Sequence, residues 1–510
     1  MMKPAGNEKY AIDDTETLLK AETLQRLKDE TLDPDNWREM RKLGHEMVDV
    51  MFDYLKNQRS RPVWTKPPAE VKKFLSQPLP QNPEGCHKPF ADFVKYVLPY
   101  NKGNVHPRFW AWVEGAGTPF GMLSEMLAAG MNTNASMGDH AAIYVEHQVL
   151  NWIKEFLHFP ASSSGILVSG GSMANLTGIA VGRNNFSKLD IKNEGLLSAD
   201  AQLITYGSKE THSCVEKALE VLGMGSKSFR KIGVLDNYTI DIEQLGKAIA
   251  EDRKKGNIPF CIIGNAGTVN TGAIDPLPEL SEIAKREGMW FHVDGAFGAY
   301  AVVVPEYQTI MKGLSLADSI AIDLHKWMSM PYEVGCVLIN NPAYHKNTFF
   351  KSPEYLLPHD RGIAAGPDPF NFYGVQLSRG FRALKVWLSL KEHGAKKHQR
   401  IIRQNISHCF YLEELIKQQD NLEMVTPVTL NIVCFRYRCL EADEQKLNIL
   451  NKEILMTLHE RGIAAPSYTF LKGHYCIRVG NVNHRSKKVD FEILVKAVVE
   501  IGNELSGSFV

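Results

Sequence analysis

The sequence predicts an α/β fold organised around a largely parallel sheet. Two observations carry that expectation. Between residues 105 and 345, short β-branched or apolar runs alternate with helix-length stretches, the pattern of repeated strand–helix units. Within that region "VSGGSMAN" (168–175) reads as a strand, a glycine turn and a helix start, the junction such units use.

The elements follow in order. "DNWREMRKLGHEMVDVMFDYLKN" (35–57) sets Met40, Leu43, Met47, Val50 and Tyr54 at helical spacing. The proline-punctuated run 61–85 then winds without a long helix. Residues 1–104 would not build much of a core alone and are expected to pack on something else, such as a second subunit. "HAAIYVEHQVLNWIKEFLHF" (140–159) is an amphipathic helix stopped by Pro160. The runs "GILVS", "QLITY", "PFCIIG", "MWFHVD", "DSIAID" and "VGCVLIN" read as strands, with helix-length stretches such as 241–255 and 276–287 between some of them. Residues 350–380 form a long Gly/Pro-rich loop, which in a compact domain is functional or mobile. "FRALKVWLSLKEHG" (381–394) is a helix, and "LNIVCFRYR" and "HYCIRVG" are strands of a smaller α/β domain. The expected organisation is an N-terminal helical segment 1–104, a large domain 105–385 and a small C-terminal domain 386–510.

Composition excludes several classes. With 44% hydrophobic residues the 510-residue chain can bury a large core. Its 58 basic and 58 acidic residues balance, which argues against nucleic acid or an acidic membrane as the main partner. No apolar run approaches a membrane span, and the first residues have no apolar signal core. The eight cysteines are scattered and form no CxxC pair, as in a cytoplasmic protein with reduced thiols and neither a disulfide framework nor a zinc site.

In parallel α/β sheets, ligands sit beyond the carboxyl ends of the strands. Chemistry-bearing residues fall there in sequence order. The glycine turn of "VSGGSMAN" can offer helix amides to a phosphate. "SKETHSC" places His212 in a first helical turn after a strand, where a neutral imidazole can stack on an aromatic ring. "FHVDGAFG" ends a strand on Asp294, a carboxylate that needs a positive partner if buried, beside small residues that leave room for a flat object. "DLHKWM" (323–328) places Lys326 just past the next strand, and an interior lysine is suited to Schiff-base chemistry. Singly, each has an ordinary structural explanation: a tight turn, a structural histidine, a capping aspartate, a snorkelling lysine. Together they match what pyridoxal phosphate requires: a lysine for its aldehyde, a carboxylate for its pyridinium nitrogen, donors for its phosphate and a surface for its ring.

On "HPRFWAWVEGAGTP", "SGGSMAN", "THSCVEKA", "HVDGAFG" and "DLHKW", the chain resembles the pyridoxal-phosphate decarboxylases that include aromatic-L-amino-acid, histidine and glutamate decarboxylases. The resemblance extends from residue 37 to residue 486. It implies the aspartate-aminotransferase type of fold (fold type I), with a mostly parallel seven-stranded sheet, in a homodimer whose active site lies at the subunit interface. It implies that Lys326 binds the cofactor, Asp294 pairs with the pyridinium, Ala296 lies under the ring and His212 stacks on it. Ser172, Met173, His325 and Thr268 would serve the cofactor, the first three at the phosphate. Arg478 would meet the substrate carboxylate, and Trp110 and Trp112 would line the substrate pocket, with Gly115 and Gly117 leaving space for a large ring. The implied reaction turns an L-amino acid, an aromatic one by the pocket residues, into its amine and carbon dioxide.

Some positions depart from the family pattern. Val269 stands where a second threonine is common, and Asp323 where an asparagine is common. Glu114 could pair within the protein or favour a basic substrate. Ungapped alignment back from "SRGFRALK" puts Phe370 where the aromatic branch carries its proton-donating tyrosine, with Tyr373 and Tyr355 nearby. Tyr373 is therefore the candidate donor, and phenylalanine at that place raises the alternative of oxidative deamination to an aldehyde. A carbon–carbon lyase of the same fold is a further alternative.

Overall fold

The alternation read from the sequence becomes a seven-stranded sheet. The structure, a computed structural model, describes residues 31–186, 190–196, 201–351, 359–439 and 442–507. The strands are β1 (Ser164–Val168), β2 (Leu203–Ser208), β3 (Phe229–Ile232), β4 (Ile258–Asn265), β5 (Trp290–Asp294), β6 (Ser319–Asp323) and β7 (Gly335–Ile339). Their order across the sheet is β1-β7-β6-β5-β4-β2-β3. Strands β3, β2, β4, β5 and β6 pair in parallel, while β7 runs antiparallel to both β1 and β6. Ile262, Val293, Ile320, Ile322 and Val337 are fully buried, as expected for strands covered by helices on both faces.

The main helices are α1 (Trp37–Lys56), α2 (Pro119–Met131), α3 (Ala141–Phe156), α4 (Gly171–Asn185), α5 (Ser213–Val221), α6 (Ile242–Lys254) and α7 (Leu277–Glu287). Their ends follow local chemistry. Asp241 accepts from the Gln244 amide to cap α6, and Gly288 closes α7 in the left-handed region at φ 67°. Helix α4 packs over β5, β6 and β7, which brings its N-terminus to the carboxyl end of β6.

The long helix α8 (Ala383–Lys417) packs on α2 and α3 and leaves the helical conformation at Gly394. It leads into a second, antiparallel sheet of β8 (Leu422–Met424), β9 (Ile432–Tyr437), β10 (Ser467–Leu471) and β11 (His474–Gly480), in the order β10-β11-β9-β8. Helices α9 (Glu444–Glu460) and α10 (Lys488–Ser506) cover it, around a core that includes Leu412, Phe435, Ile454, Ile477 and Phe491. None of the eight cysteines is paired in a disulfide. No helix among the described residues is long and apolar enough to cross a membrane.

Candidate active site

The carboxyl ends of β1, β2, β4, β5 and β6 border a cleft of about 440 Å³. Ser172, Met173, His212, Asp294, Ala296, His325, Lys326 and Trp112 all line it. The turn that opens α4 is shaped by glycine. A Cβ on Gly171 would lie 2.7 Å from Asp323 Oδ2, and one on Gly170 3.1 Å from the His325 ring. The Ala174 amide makes the first helical bond, to Gly170 O at 2.9 Å, so the amides of Gly171, Ser172 and Met173 precede the helical ladder. They form a ready anion site.

The orientation of α4 is fixed from behind. Asn175 donates to Gly171 O at 2.8 Å and accepts from His292 Nε2 at 2.8 Å; His292 Nδ1 meets Ser319 Oγ at 2.7 Å. Complete burial pulls the His292 pKa down to about 3, so this ring is a neutral strut.

His212 is the N-cap of α5, its Nδ1 accepting from the Cys214 amide at 3.2 Å. The neutral ring therefore carries its proton on Nε2. Burial lowers its pKa, outweighing the opposing pull of Asp294. Asp294 closes β5, 7% exposed, with Oδ1 accepting from the Ala296 amide at 3.2 Å. His325 accepts on Nδ1 from the Val334 amide at 3.1 Å, and burial lowers its pKa, so it too is a neutral ring with an Nε2–H donor. Lys326 Nζ lies 2.9 Å from Asp323 Oδ2. Burial lowers the Lys326 pKa, but the Asp323 charge and hydrogen bond reverse this, and the net shift is upward. The acid at 323 thus points at a protein donor.

These residues fit a phosphorylated pyridine aldehyde. The glycine turn leaves free amides for a phosphate, a lysine amine and a carboxylate share the cleft, and a neutral imidazole offers a flat face.

The remaining expected residues divide between the cleft and its surroundings. Trp110 is buried in the small domain, stacked on Phe491 at 4.8 Å and donating from Nε1 to Ser486 at 3.0 Å. Trp112 and Val113 adopt φ of 55° and 70°, which breaks the extended run and turns Trp112 into the cleft, 56% exposed. Glu114 pairs with Lys102. Gly115 does not serve to leave space for substrate: a Cβ there would overlap the His325 carbonyl oxygen and lie 2.6 Å from that of Lys326. Thr268 spends its hydroxyl on Thr271, 2.9 Å away, and on the Ala273 amide. Arg478 sits behind the cleft wall, donating to the carbonyls of Val269 and Asn270 and to Ser467; burial lowers its pKa to about 10.

Phe370 is buried against His147, 4.7 Å between rings, with Arg379 over its face. The Tyr373 hydroxyl donates to Asp368 at 3.1 Å, and Tyr373 does not line the cleft. Tyr355 lies outside the described residues. Tyr332 and Glu333 also line the cleft, although no sequence motif marks them. The antiparallel return of β6 into β7, with the His325 amide bonded to Val334 O at 3.1 Å, folds Tyr332 back over His325, 4.4 Å between rings. The signal that could have found them is the short spacing between "DLHKWM" and "VGCVLIN", too short for a helical crossover.

A family model for the pyridoxal-dependent decarboxylase conserved domain matches residues 68–438. An aromatic-L-amino-acid decarboxylase of Bacillus atrophaeus is 35% identical over 92% of this chain and 97% of its own length. A phenylacetaldehyde synthase of Petunia hybrida is 30% identical over 88% of this chain and 90% of its own. The crystal structure of Catharanthus roseus tryptophan decarboxylase in complex with L-tryptophan superposes with a TM-score of 0.82 at 26% identity, covering 93% of this chain and all of that one.

Proposed function

Because the chain belongs to the pyridoxal-dependent decarboxylase family, with pyridoxal phosphate as its cofactor, we propose that it decarboxylates an aromatic L-amino acid with Lys326 as the cofactor's attachment point. The observation that carries the assignment is that Lys326, Asp294, His212 and the first turn of α4 share one cleft. The aromatic substrate is supported by the relatives and by Trp112, Phe297 and Tyr332 along the cleft wall.

When bound, the cofactor would supply an aldehyde for the substrate amine and a cationic ring that draws electrons from the bond being broken. The protein's part is positioning and proton control. The amides of Gly171, Ser172 and Met173 and the His325 Nε2–H would hold the phosphate. Asp294 would keep a proton on the ring nitrogen, and Ala296 would leave room for the ring. His212, held neutral, presents a flat face without adding charge. Thr268, between the cleft-lining Gly267 and Val269, shapes the 268–273 turn, and Arg478 acts through the backbone of Val269 and Asn270. Tyr332 is the phenol that the described residues place in the cleft, and burial raises its pKa, so it keeps a proton to give to the substrate carbon. The Tyr373 hydroxyl is instead held on Asp368, outside the cleft lining.

A homodimer is supported by apolar side chains left bare on single helices: Trp37 on α1 at 66% exposure and Met131 on α2 at 54%. We infer a cytoplasmic setting from eight unpaired cysteines.

The test is incubation of the holoenzyme with a panel of aromatic, basic and acidic L-amino acids, following carbon dioxide, ammonia and peroxide. Amine with carbon dioxide alone, from an aromatic substrate, is the expected result. Aldehyde with carbon dioxide, ammonia and peroxide would replace simple decarboxylation by decarboxylation coupled to oxidative deamination.

A further inference from the structure

Asp323 is an unusual acid to find beneath a phosphate-binding turn. It is 2% exposed at the end of β6, and Gly170 and Gly171 close over it. A bare carboxylate there would repel an incoming phosphate and would cost desolvation energy. Its Oδ2 is instead 2.9 Å from Lys326 Nζ. Its Oδ1 has no hydrogen-bond partner and lies 3.6 Å from His325 Nε2, the ring nitrogen that carries the proton.

We propose that Asp323 is a positioning residue that holds a proton on the Lys326 nitrogen, both in the free lysine and after that nitrogen joins the cofactor aldehyde with loss of water. The second half rests on the assignment of Lys326 as the attachment point; the first half does not. The other groups that act on Nζ are Asp294 from β5 and Cys214 from α5, with His212 nearby. Burial keeps the thiol protonated and His212 neutral, so Asp294 is the other charge acting on the nitrogen. Asp323 is the one in hydrogen-bond contact. Its negative charge offsets the lysine's, which leaves the α4 amides free to attract phosphate without a net acid beneath them.

The experiment compares wild type, Asp323→Asn and Asp323→Glu. In the reconstituted holoprotein, the visible absorbance of the cofactor is titrated with pH. An opposite charge in contact shifts a pKa by about 1–3 units, so Asp323→Asn is expected to lower the apparent pKa of the linked nitrogen by about that much, and Asp323→Glu to restore most of it. In the apoprotein, acetic anhydride labelling read by peptide mass spectrometry is expected to modify Lys326 about 10-fold faster or more in Asp323→Asn, because a one-unit drop exposes that much more free amine. Unchanged titration and unchanged labelling in a variant of normal melting temperature would overturn the proposal. If labelling responds while borohydride fixes no cofactor on Lys326, the attachment assignment falls and the pairing stands. Should Asp323→Asn not fold, the wild-type apoprotein decides. A labelling midpoint above the ordinary lysine value of about 10.4 supports the proposal, and one at or below it overturns it.

Discussion

Replacing Gly115 by alanine should damage the lysine loop, not the choice of substrate. The added Cβ would overlap the carbonyl oxygen of His325 and come within 2.6 Å of that of Lys326. Both neighbours are backbone, in a loop fixed by the His325 amide to Val334 O bond at 3.1 Å and the Val334 amide to His325 Nδ1 bond at 3.1 Å. Relief therefore requires the loop to move as a unit. Overpacking a well-packed site costs about 1–3 kcal/mol, and a backbone clash that no side-chain rotation can relieve belongs at the top of that range. At about 1.4 kcal/mol per decade, 3 kcal/mol taken out of the binding-competent loop weakens cofactor affinity about 100-fold. The assay is equilibrium titration of the apoprotein with pyridoxal phosphate, alongside a thermal melt. If Gly115→Ala binds the cofactor normally, melts normally and merely prefers smaller amino acids, then the glycine does leave room for a ring and the packing account is wrong.

Trp110 and Trp112 should separate cleanly. Trp110→Ala is expected to cost about 3–5 kcal/mol in chemical denaturation, as for a large buried aromatic, whereas Trp112→Ala should leave stability nearly unchanged and raise KM; a stable Trp110→Ala protein with raised KM would reverse the assignment. Asp294→Ala should retain the fold, judged by circular dichroism, and lose turnover; retained turnover would remove Asp294 from the ring nitrogen. His292 is neutral and fully buried with a pKa of about 3, below its unfolded value of about 6.5, so the unfolded state binds the extra proton. Its contribution is complete above the unfolded pKa and is lost as pH falls from there toward 3, costing about 2 kcal/mol by pH 5. Denaturation midpoints should fall across that interval less steeply in His292→Gln; equal slopes would contradict the burial argument.

The parts of this protein legible in the sequence are those with local signals. Buried strands announce themselves as short apolar runs, and Asp294, His212, Lys326 and the α4 turn sit just beyond such runs, so the strands that carry them also bring them together. What escaped depends on contacts between distant segments. Trp110 and Trp112 look equivalent in "FWAW", yet two residues at positive φ send one into the small-domain core and the other into the cleft. Gly115 reads as spare room until the His325 and Lys326 carbonyls are set against it. Tyr332 enters the cleft through an antiparallel return that alternation of strands and helices does not foretell. Phe370 takes the proton donor's place in an ungapped alignment, and the packing of its ring against His147 is a contact between distant segments that the alignment does not foretell.

The most direct test of the central claim is to reduce the reconstituted holoprotein with borohydride and map the labelled peptide by mass spectrometry. The account predicts a single pyridoxyl group on Lys326 in the "DLHKWM" segment, lost in Lys326→Ala. A label on another lysine, or none, would contradict it.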